Sequence, residues 1–429
     1  MSIQAAIHIS STAVCTAIGR LEHSGGKSYL KIMAVGLAHT DAFTQGQITY
    51  REHLRSAIHK SVQEAMDMSG TKIINPLISF ATPLMTSSNE MATVMVADPT
   101  GRISAEDLIN AHQSIEDRLA VEDRAVLQSV QQLVYLQSNE QVSDAIGLLS
   151  KQIQVACHVV SVPATTYQQV LELALDQEIE ASTTIFDGVA GSAYALTAAE
   201  KEQGVCFVDI GATMTKVCVY QADALLYTAC LPVGGNTVDL DIAKECGIPL
   251  QDADSFKRQE GTLNPSKYSP GSHVIFHKGK RQEKTMLRRE LNQVIEARYG
   301  DIFSQIFAQI DAAGLSFAIG SGVVLAGGGA SMDGLANFVR TRFGINTRMV
   351  ETPKNIIFDP NTLSDDNIKL LKKHLADNTL HSAIGTLMYG YSEQFARDQQ
   401  TLYDDNTDGF WDKIKQLVYR ILATLKKIA

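Results

Sequence analysis

Three turns in this 429-residue chain carry residue types suited to holding phosphate: Ser10-Ser11-Thr12, Asp209-Ile210-Gly211-Ala212-Thr213, and Gly327-Gly328-Gly329. Phosphate oxygens need backbone N–H groups and hydroxyls at close range. Small residues in tight turns provide both, and a helix that follows adds the positive end of its dipole. Asp209, at the end of an apolar run, can hold a hydrated Mg2+ through the water molecules of the ion. Each turn alone is ordinary, because glycine turns between strands and helices are common. Their order along the chain is what joins them. His8, just before the first turn, has no partner histidine or cysteine beside it and is read as a plain inward or turn-facing residue.

The elements that must position these turns are legible from periodicity. Residues 3–20 read as a β-hairpin with the hydroxyls at its tip, and a helix over 50–68 and a strand over 76–81 complete a first α/β layer. Residues 82–160 change character: a strand over 91–97, a helix opened by a Ser104–Asp107 capping box, and strand-like stretches over 125–136 and 152–162. They read as a small α/β insertion, from which a helix over 165–175 returns to the main body. A second hairpin over 205–220 repeats the plan of the first, so the fold class is α/β with two related lobes whose tips face one another across a cleft. A polar, basic stretch over 256–289, an amphipathic helix over 284–313, a strand over 321–335 whose glycines open a helix, and a helix over 383–397 complete the body.

Composition narrows the function. With 45% hydrophobic residues, 20% charged residues and a net charge of −10, the chain reads as a globular protein with too acidic a surface for nucleic acid. Six cysteines without metal-ligand spacing read as buried thiols in a reducing cytoplasm, and no apolar run approaches the ~18 residues that span a bilayer. Basic clusters therefore stand out. One comprises Lys278, Lys280, Arg281, Lys284, Arg288 and Arg289, whose arginines suit a partner carboxylate.

The other closes the chain. After a polar, acidic linker over 398–408, Phe410, Trp411, Ile414, Leu417, Val418, Ile421, Leu422, Leu425 and Ile428 gather into an arc of about 140° at helical spacing. Lys413, Lys415, Arg420, Lys426 and Lys427 fall outside that arc. A terminal basic helix that holds the only Trp of the chain is suited to lie on an anionic membrane. One such anchor binds reversibly, so several must act together.

In their order these features resemble the FtsA family of bacterial cell-division proteins, in the actin-like ATPase superfamily. FVDIGATMTKVCVY is similar to the second phosphate loop of the family, LPVGGNTVDLDIA to the segment after it, DADSFKRQEG to the adenine-flanking segment and LNQVIEARYGDIF to a characteristic helix. GVVLAGGGASMDGL is similar to the adenosine loop and HSAIGTLMYG to the closing helix. The resemblance implies an actin-like fold of two duplicated lobes around a nucleotide cleft. The first lobe would be 1–81 and 161–202, with 82–160 inserted; the second would be 203–237 and 315–397, whose closing helix returns to the first lobe, with a subdomain over 238–314. A flexible linker over 398–408 and a membrane-binding helix over 409–429 would follow.

The resemblance also implies ATP and Mg2+ as ligands. Ser10, Ser11 and Thr12, with Asp209, Gly211, Ala212 and Thr213, would approach phosphate and metal; Asn236 and Lys257 would lie near the nucleoside; Gly327, Gly328, Gly329 and Met332 would wall the adenosine pocket. The first loop departs from the pattern. The family has Asp-Ile-Gly-Thr there with a lysine shortly after, whereas this chain has His8, Ile9, Ser10 and Ser11, with Ala13 at the lysine position. Nucleotide binding with weak or absent hydrolysis is the expectation.

In function, the resemblance implies a scaffold that polymerises on the inner face of the cytoplasmic membrane at the division site. Lys278, Arg281, Lys284, Arg288 and Arg289 would hold the C-terminal tail of FtsZ, while the insertion would meet neighbouring protomers or later division proteins. Two other readings stand beside it. One is a pilus-assembly protein of the PilM type. The other is an actin-fold ATPase or kinase, against which the altered first loop and the lack of an obvious second catalytic carboxylate count.

Overall fold

A computed structural model describes residues 3–119, 123–176, 179, 183–278, 282–376 and 379–399. The chain opens with the expected hairpin, β1 (Ile3–Ile9) and β2 (Ala13–Ser24), in which Ile9 lies opposite Val14 and His8 opposite Cys15. A third antiparallel strand, β3 (Lys27–His39), and a small ribbon of β4 (Phe43–Thr44) and β5 (Gln47–Ile48) come next. Helix α1 (Arg51–Ser69) buries Leu54, Ala57, Ile58, Val62 and Ala65, the face that its spacing predicts, and stops at Gly70 in the left-handed conformation. β6 (Leu77–Phe80) then runs parallel to β1.

The insertion has its own sheet and core. β7 (Thr86–Met95), α2 (Ala105–Leu119), β8 (Arg124–Leu136), β9 (Gln141–Val142) and β10 (Gln152–Pro163) form a sheet of order β7-β10-β8-β9. Leu108, Ile115, Val134, Ile153 and Val155 pack together beneath α2. The capping box is present: the Ser104 N–H donates to Asp107 Oδ2 (2.8 Å) and the Asp107 N–H to Ser104 Oγ (3.3 Å). α3 (Ala164–Leu175), β11 (Thr183–Phe186), α4 (Asp187–Ala195) and α5 (Ala198–Gln203) lead on to the second lobe.

That lobe repeats the first. β12 (Val205–Ile210), β13 (Thr215–Gln221) and β14 (Ala224–Leu231) form an antiparallel meander. α6 (Gly235–Cys246), α7 (Leu250–Glu260), the hairpin of β15 (His273–Lys278) and β16 (Gln282–Leu287), and α8 (Arg288–Ala312) follow. β17 (Val323–Ala326), α9 (Leu335–Phe343) and β18 (Thr347–Met349) complete the lobe. The chain then returns to the first lobe through β19 (Ile356–Phe358), α10 (Asp365–Ala376), α11 (His381–Gly390) and α12 (Glu393–Gln399).

The strand orders are β11-β6-β1-β2-β3-β19 and β14-β13-β12-β17-β18. In each sheet a three-strand meander is extended by parallel strands beside its first member, which is the signature of a duplication. The core of the first lobe includes Phe207, Tyr220 and Val324 of the second, so the lobes share apolar packing at their junction.

Four expectations are corrected. Residues 284–287 are in β16, and the long helix begins only at Arg288. Gly327, Gly328 and Gly329 do not open an α-helix: Gly328–Ser331 is a 3-10 turn and α9 starts at Leu335. The helix over 383–397 is two helices, because the Ser392 hydroxyl donates to the Tyr389 carbonyl (2.6 Å) and accepts from the Phe395 N–H (3.1 Å), capping a new start. Asp398 and Gln399, assigned from sequence to the linker, are the last residues of α12. The amphipathic segment over 409–429 lies outside the described residues, among which no helix is long and apolar enough to cross a membrane.

Candidate functional site

The second phosphate loop, the start of α6 and the turn after β17 meet through their backbones. The Gly235 N–H donates to the Gly211 carbonyl (2.9 Å) and the Asn236 N–H to that of Ala212 (2.8 Å). The approach demands glycine. A Cβ on Gly234 would stand 2.6 Å from the Gly211 oxygen, and one on Gly329 would stand 2.6 Å from the Ile210 side chain. Behind this junction, Lys257 of α7 donates to the Gly235 carbonyl (3.1 Å) and pairs with Asp239 (2.7 Å), while the Tyr299 hydroxyl donates to the Gly329 carbonyl. Met332 reaches 3.4 Å from the position of a Cβ on Gly261, and Gly328 faces open space.

The structure therefore brings Asp209, Gly211, Ala212, Asn236, Lys257, Gly327, Gly329 and Met332 into one neighbourhood. The first tip is more self-contained: Ser10 Oγ donates to the Ala13 carbonyl (2.8 Å) and closes its own turn, with Ser11 half-buried and Thr12 exposed. Thr213 is reached from the other lobe, where the Gln45 N–H donates to its hydroxyl (3.4 Å) and Gln45 Nε2 to the Pro232 carbonyl (3.1 Å).

Beneath the tips lies a buried charged cluster that sequence reading largely missed. The register of β12 and β13 puts Lys216 directly opposite Asp209. Its ammonium sits 2.8 Å from Asp209 Oδ2 and 3.0 Å from Asp187 Oδ2, the carboxylate that opens α4. His381, the first residue of α11, places Nε2 3.1 Å from Asp209 Oδ2. His8 faces inward from β1, as expected, and lies 3.2 Å from the Ser79 hydroxyl and 3.7 Å from Asp187 Oδ1, at the edge of the cluster. Asp187 is the second carboxylate that the sequence seemed to lack. Its signal was available, as a lone acid between the apolar strand TTIF and a small-residue helix.

Burial opposes charge on every one of these groups, and their mutual attraction decides the outcome. For Lys216, desolvation is outweighed by Asp187 and Asp209, which raise its pKa. For Asp209 and Asp187 the same burial is outweighed chiefly by Lys216, and both carboxyls are held below their usual range. Burial dominates at His8, lowers its pKa and favours the neutral ring, whereas Asp209 raises that of His381 against burial.

These residues fit a nucleotide better than they fit its metal. The backbone junction is the kind of surface that phosphates and a base approach closely. A divalent ion needs free carboxylate oxygens, and here the two acids already share an ammonium. Asp187 Oδ1 and Asp209 Oδ1 have no hydrogen-bond partner, but an ion reaching them would share both carboxylates with the Lys216 ammonium, whose repulsion offsets part of their attraction. Among the described residues no group of three or more His, Cys, Asp and Glu side chains is disposed to hold a metal.

The basic segment is divided. Arg288 is buried, bound to Glu260 and stacked 3.8 Å over the Tyr268 ring, so its guanidinium is committed within the lobe. Lys284 and Arg289 are exposed. Arg281 and the Lys278 side chain lie outside the described residues, as do Phe410, Trp411, Ile414, Leu417, Val418, Arg420, Ile421, Leu422, Leu425, Lys426 and Lys427.

Comparison with known proteins agrees with this architecture. The family model for cell division protein FtsA matches residues 206–385, and that for type IV pilus assembly protein PilM matches residues 7–271, more than half of the chain. Cell division protein FtsA of Borreliella burgdorferi is 23% identical over 390 residues, covering 90% of this chain and 91% of the relative. FtsA of Pseudomonas aeruginosa is 24% identical, covering 90% and 89%. Among solved structures, the PilM-PilN type IV pilus biogenesis complex superposes with a TM-score of 0.61 at 16% identity, over 91% of this chain and 98% of that one. The PilM model spans more than half of the chain, so the chain belongs to the family of the type IV pilus assembly protein PilM, and over nine-tenths of its length it is also similar to cell division protein FtsA.

Proposed function

We propose that this chain is an adenine-nucleotide-binding scaffold of bacterial cell division that assembles on the inner face of the cytoplasmic membrane and holds FtsZ there. The observation that carries the reading is the glycine junction of Gly211, Gly235 and Gly329, backed by Lys257, which suits the phosphates and nucleoside of ATP. Hydrolysis is weak or absent in this reading, because the first hairpin supplies His8 where a carboxylate would orient water around a metal. The FtsA relatives support the division role, and the amphipathic pattern of 409–429 supports a peripheral membrane contact. On the second lobe, exposed Lys284 and Arg289 are the residues that would meet a tail carboxylate of FtsZ, with Arg288 holding the platform from within.

Liposome co-sedimentation tests the tether. The full chain is expected to pellet with anionic vesicles, while a chain ending at Tyr403 stays in the supernatant; equal pelleting would overturn the anchor. Saturable ATP binding by calorimetry checks the cleft.

A second reading, a pilus-assembly protein, is favoured by the longer PilM match and by the PilM superposition. Pull-down with the FtsZ tail against peptides from pilus proteins separates the two.

A further inference from the structure

We propose that the Lys216 ammonium takes the place of a divalent cation in this cleft, so that the charge a metal would supply beneath the phosphates comes from the protein itself. The inference rests on the nucleotide reading above and deepens it. Lys216 bridges the two carboxylates of the cleft, 2.8 Å from Asp209 and 3.0 Å from Asp187, with the side chains of all three residues no more than 8% exposed. It also lies beneath the phosphate loop, since its Nζ is 3.6 Å from where a Cβ on Gly211 would sit. The bridge is built in by the fold, because Asp209 and Lys216 are partners in the β12–β13 register and Asp187 opens α4.

The first hairpin completes the case. At the positions equivalent to Asp209 and Lys216 it carries His8 and Cys15, which face each other in the β1–β2 register. Neither brings negative charge to the cleft: the His8 ring is kept neutral, and burial pushes the Cys15 thiol up to about 12. Two carboxylates that already share one ammonium, with His381 against Asp209, leave a net charge of no more than −1 to capture a doubly charged ion. A fixed ammonium attracts phosphate oxygens, yet it holds no coordinated water to direct at them. Binding without turnover follows.

The test uses the full chain with two probes. Mn2+ alone, followed by electron paramagnetic resonance, is expected to show no difference between the natural chain and D209N. K216N, which shortens the side chain and exposes Asp187 to Asp209, is expected to gain one site at least tenfold tighter, and D209N added to K216N should remove it. ATP affinity in EDTA is expected to lie within twofold of that in Mg2+. A Mn2+ ion bound by the natural chain and lost in D209N would overturn the inference, as would a tenfold or greater loss of ATP affinity in EDTA, and neither needs K216N to fold. Absence of ATP binding in both buffers would instead overturn the nucleotide reading, and the Mn2+ measurement would then judge the role of Lys216 alone.

Discussion

Gly327 stands at φ 87° and ψ 159°, a region that residues with a Cβ scarcely enter, and a Cβ there would lie 2.1 Å from Asp209 Oδ1. The turn after β17 thus approaches the acid at the centre of the cleft only because residue 327 has no side chain. Gly327→Ala is expected to cost about 3 kcal/mol and to weaken ATP binding at least tenfold, read from urea unfolding and calorimetry. Unchanged stability would mean that the turn relaxes away from Asp209. At this scale the glycines and Asp209 were legible, since small residues in turns announce themselves in composition. Lys216 was not, although drawing the hairpin register from its tip places it opposite Asp209. Asp187 and His381 are 22 and 172 residues from Asp209, and no local pattern joins residues that only the fold brings together. Arg288 was misread for a related reason: charge runs reveal sign, not which side chain turns inward to Glu260.

Among elements, the most consequential is α12, because it fastens the end of the described chain to the insertion. Asp398 accepts the Gln131 N–H of β8 (2.8 Å) and Gln394 Nε2 (2.8 Å), and the Tyr389 hydroxyl bonds its other oxygen. Burial pushes the pKa of this carboxyl up to about 7. A carboxyl whose pKa rises on folding favours the folded state when protonated. Its cost is absent below the unfolded value near 3.8, grows as pH rises, and is complete above pH 7, on the order of 4 kcal/mol. Asp398→Asn, which mimics the protonated acid, is expected to match the natural chain near pH 4 and to protect α12 more strongly at pH 8, measured by hydrogen exchange over 393–399. Equal protection at pH 8 would remove Asp398 as the latch. This attachment was illegible in sequence because the polar run over 398–408 masks two helical residues. The two phosphate-loop hairpins and the long strands of the insertion, by contrast, were legible, since apolar β-branched runs bounded by turns leave few alternatives. The third strand of each meander, β3 and β14, was not placed, nor were the short strands at the sheet edges or the strands of the basic hairpin, whose polar residues carry no alternation.

For the whole molecule, the insertion rests on β14 of the second lobe as well as on its own lobe, so three bodies are tied together. Ser87 Oγ donates to the Thr228 carbonyl (2.8 Å), Asn89 Nδ2 to that of Leu226 (3.0 Å) and Gln132 Nε2 to that of Leu225 (2.6 Å). His158 is the centre of this seam. Asn89 Oδ1 accepts from Gln132 and is therefore an acceptor, so His158 Nδ1–H donates to it (2.8 Å) and Nε2 accepts from the Thr228 hydroxyl (2.9 Å). That arrangement requires the neutral ring, and burial lowers its pKa to about 4. With the unfolded value near 6.5, the unfolded chain binds more protons between pH 6.5 and 4, and the seam loses on the order of 3 kcal/mol as pH falls through that window. His112, also lowered to about 4 by burial but placed inside the insertion, contributes in the same direction. His158→Gln is expected to remove only the seam component, flattening the acid loss of exchange protection over 224–231 while leaving that over 105–119 unchanged. If both segments respond as they do in the natural chain, the seam is not held by His158. If only the seam responds, the insertion that carries the base of the terminal segment is coupled through one histidine to the lobe that carries the nucleotide loop.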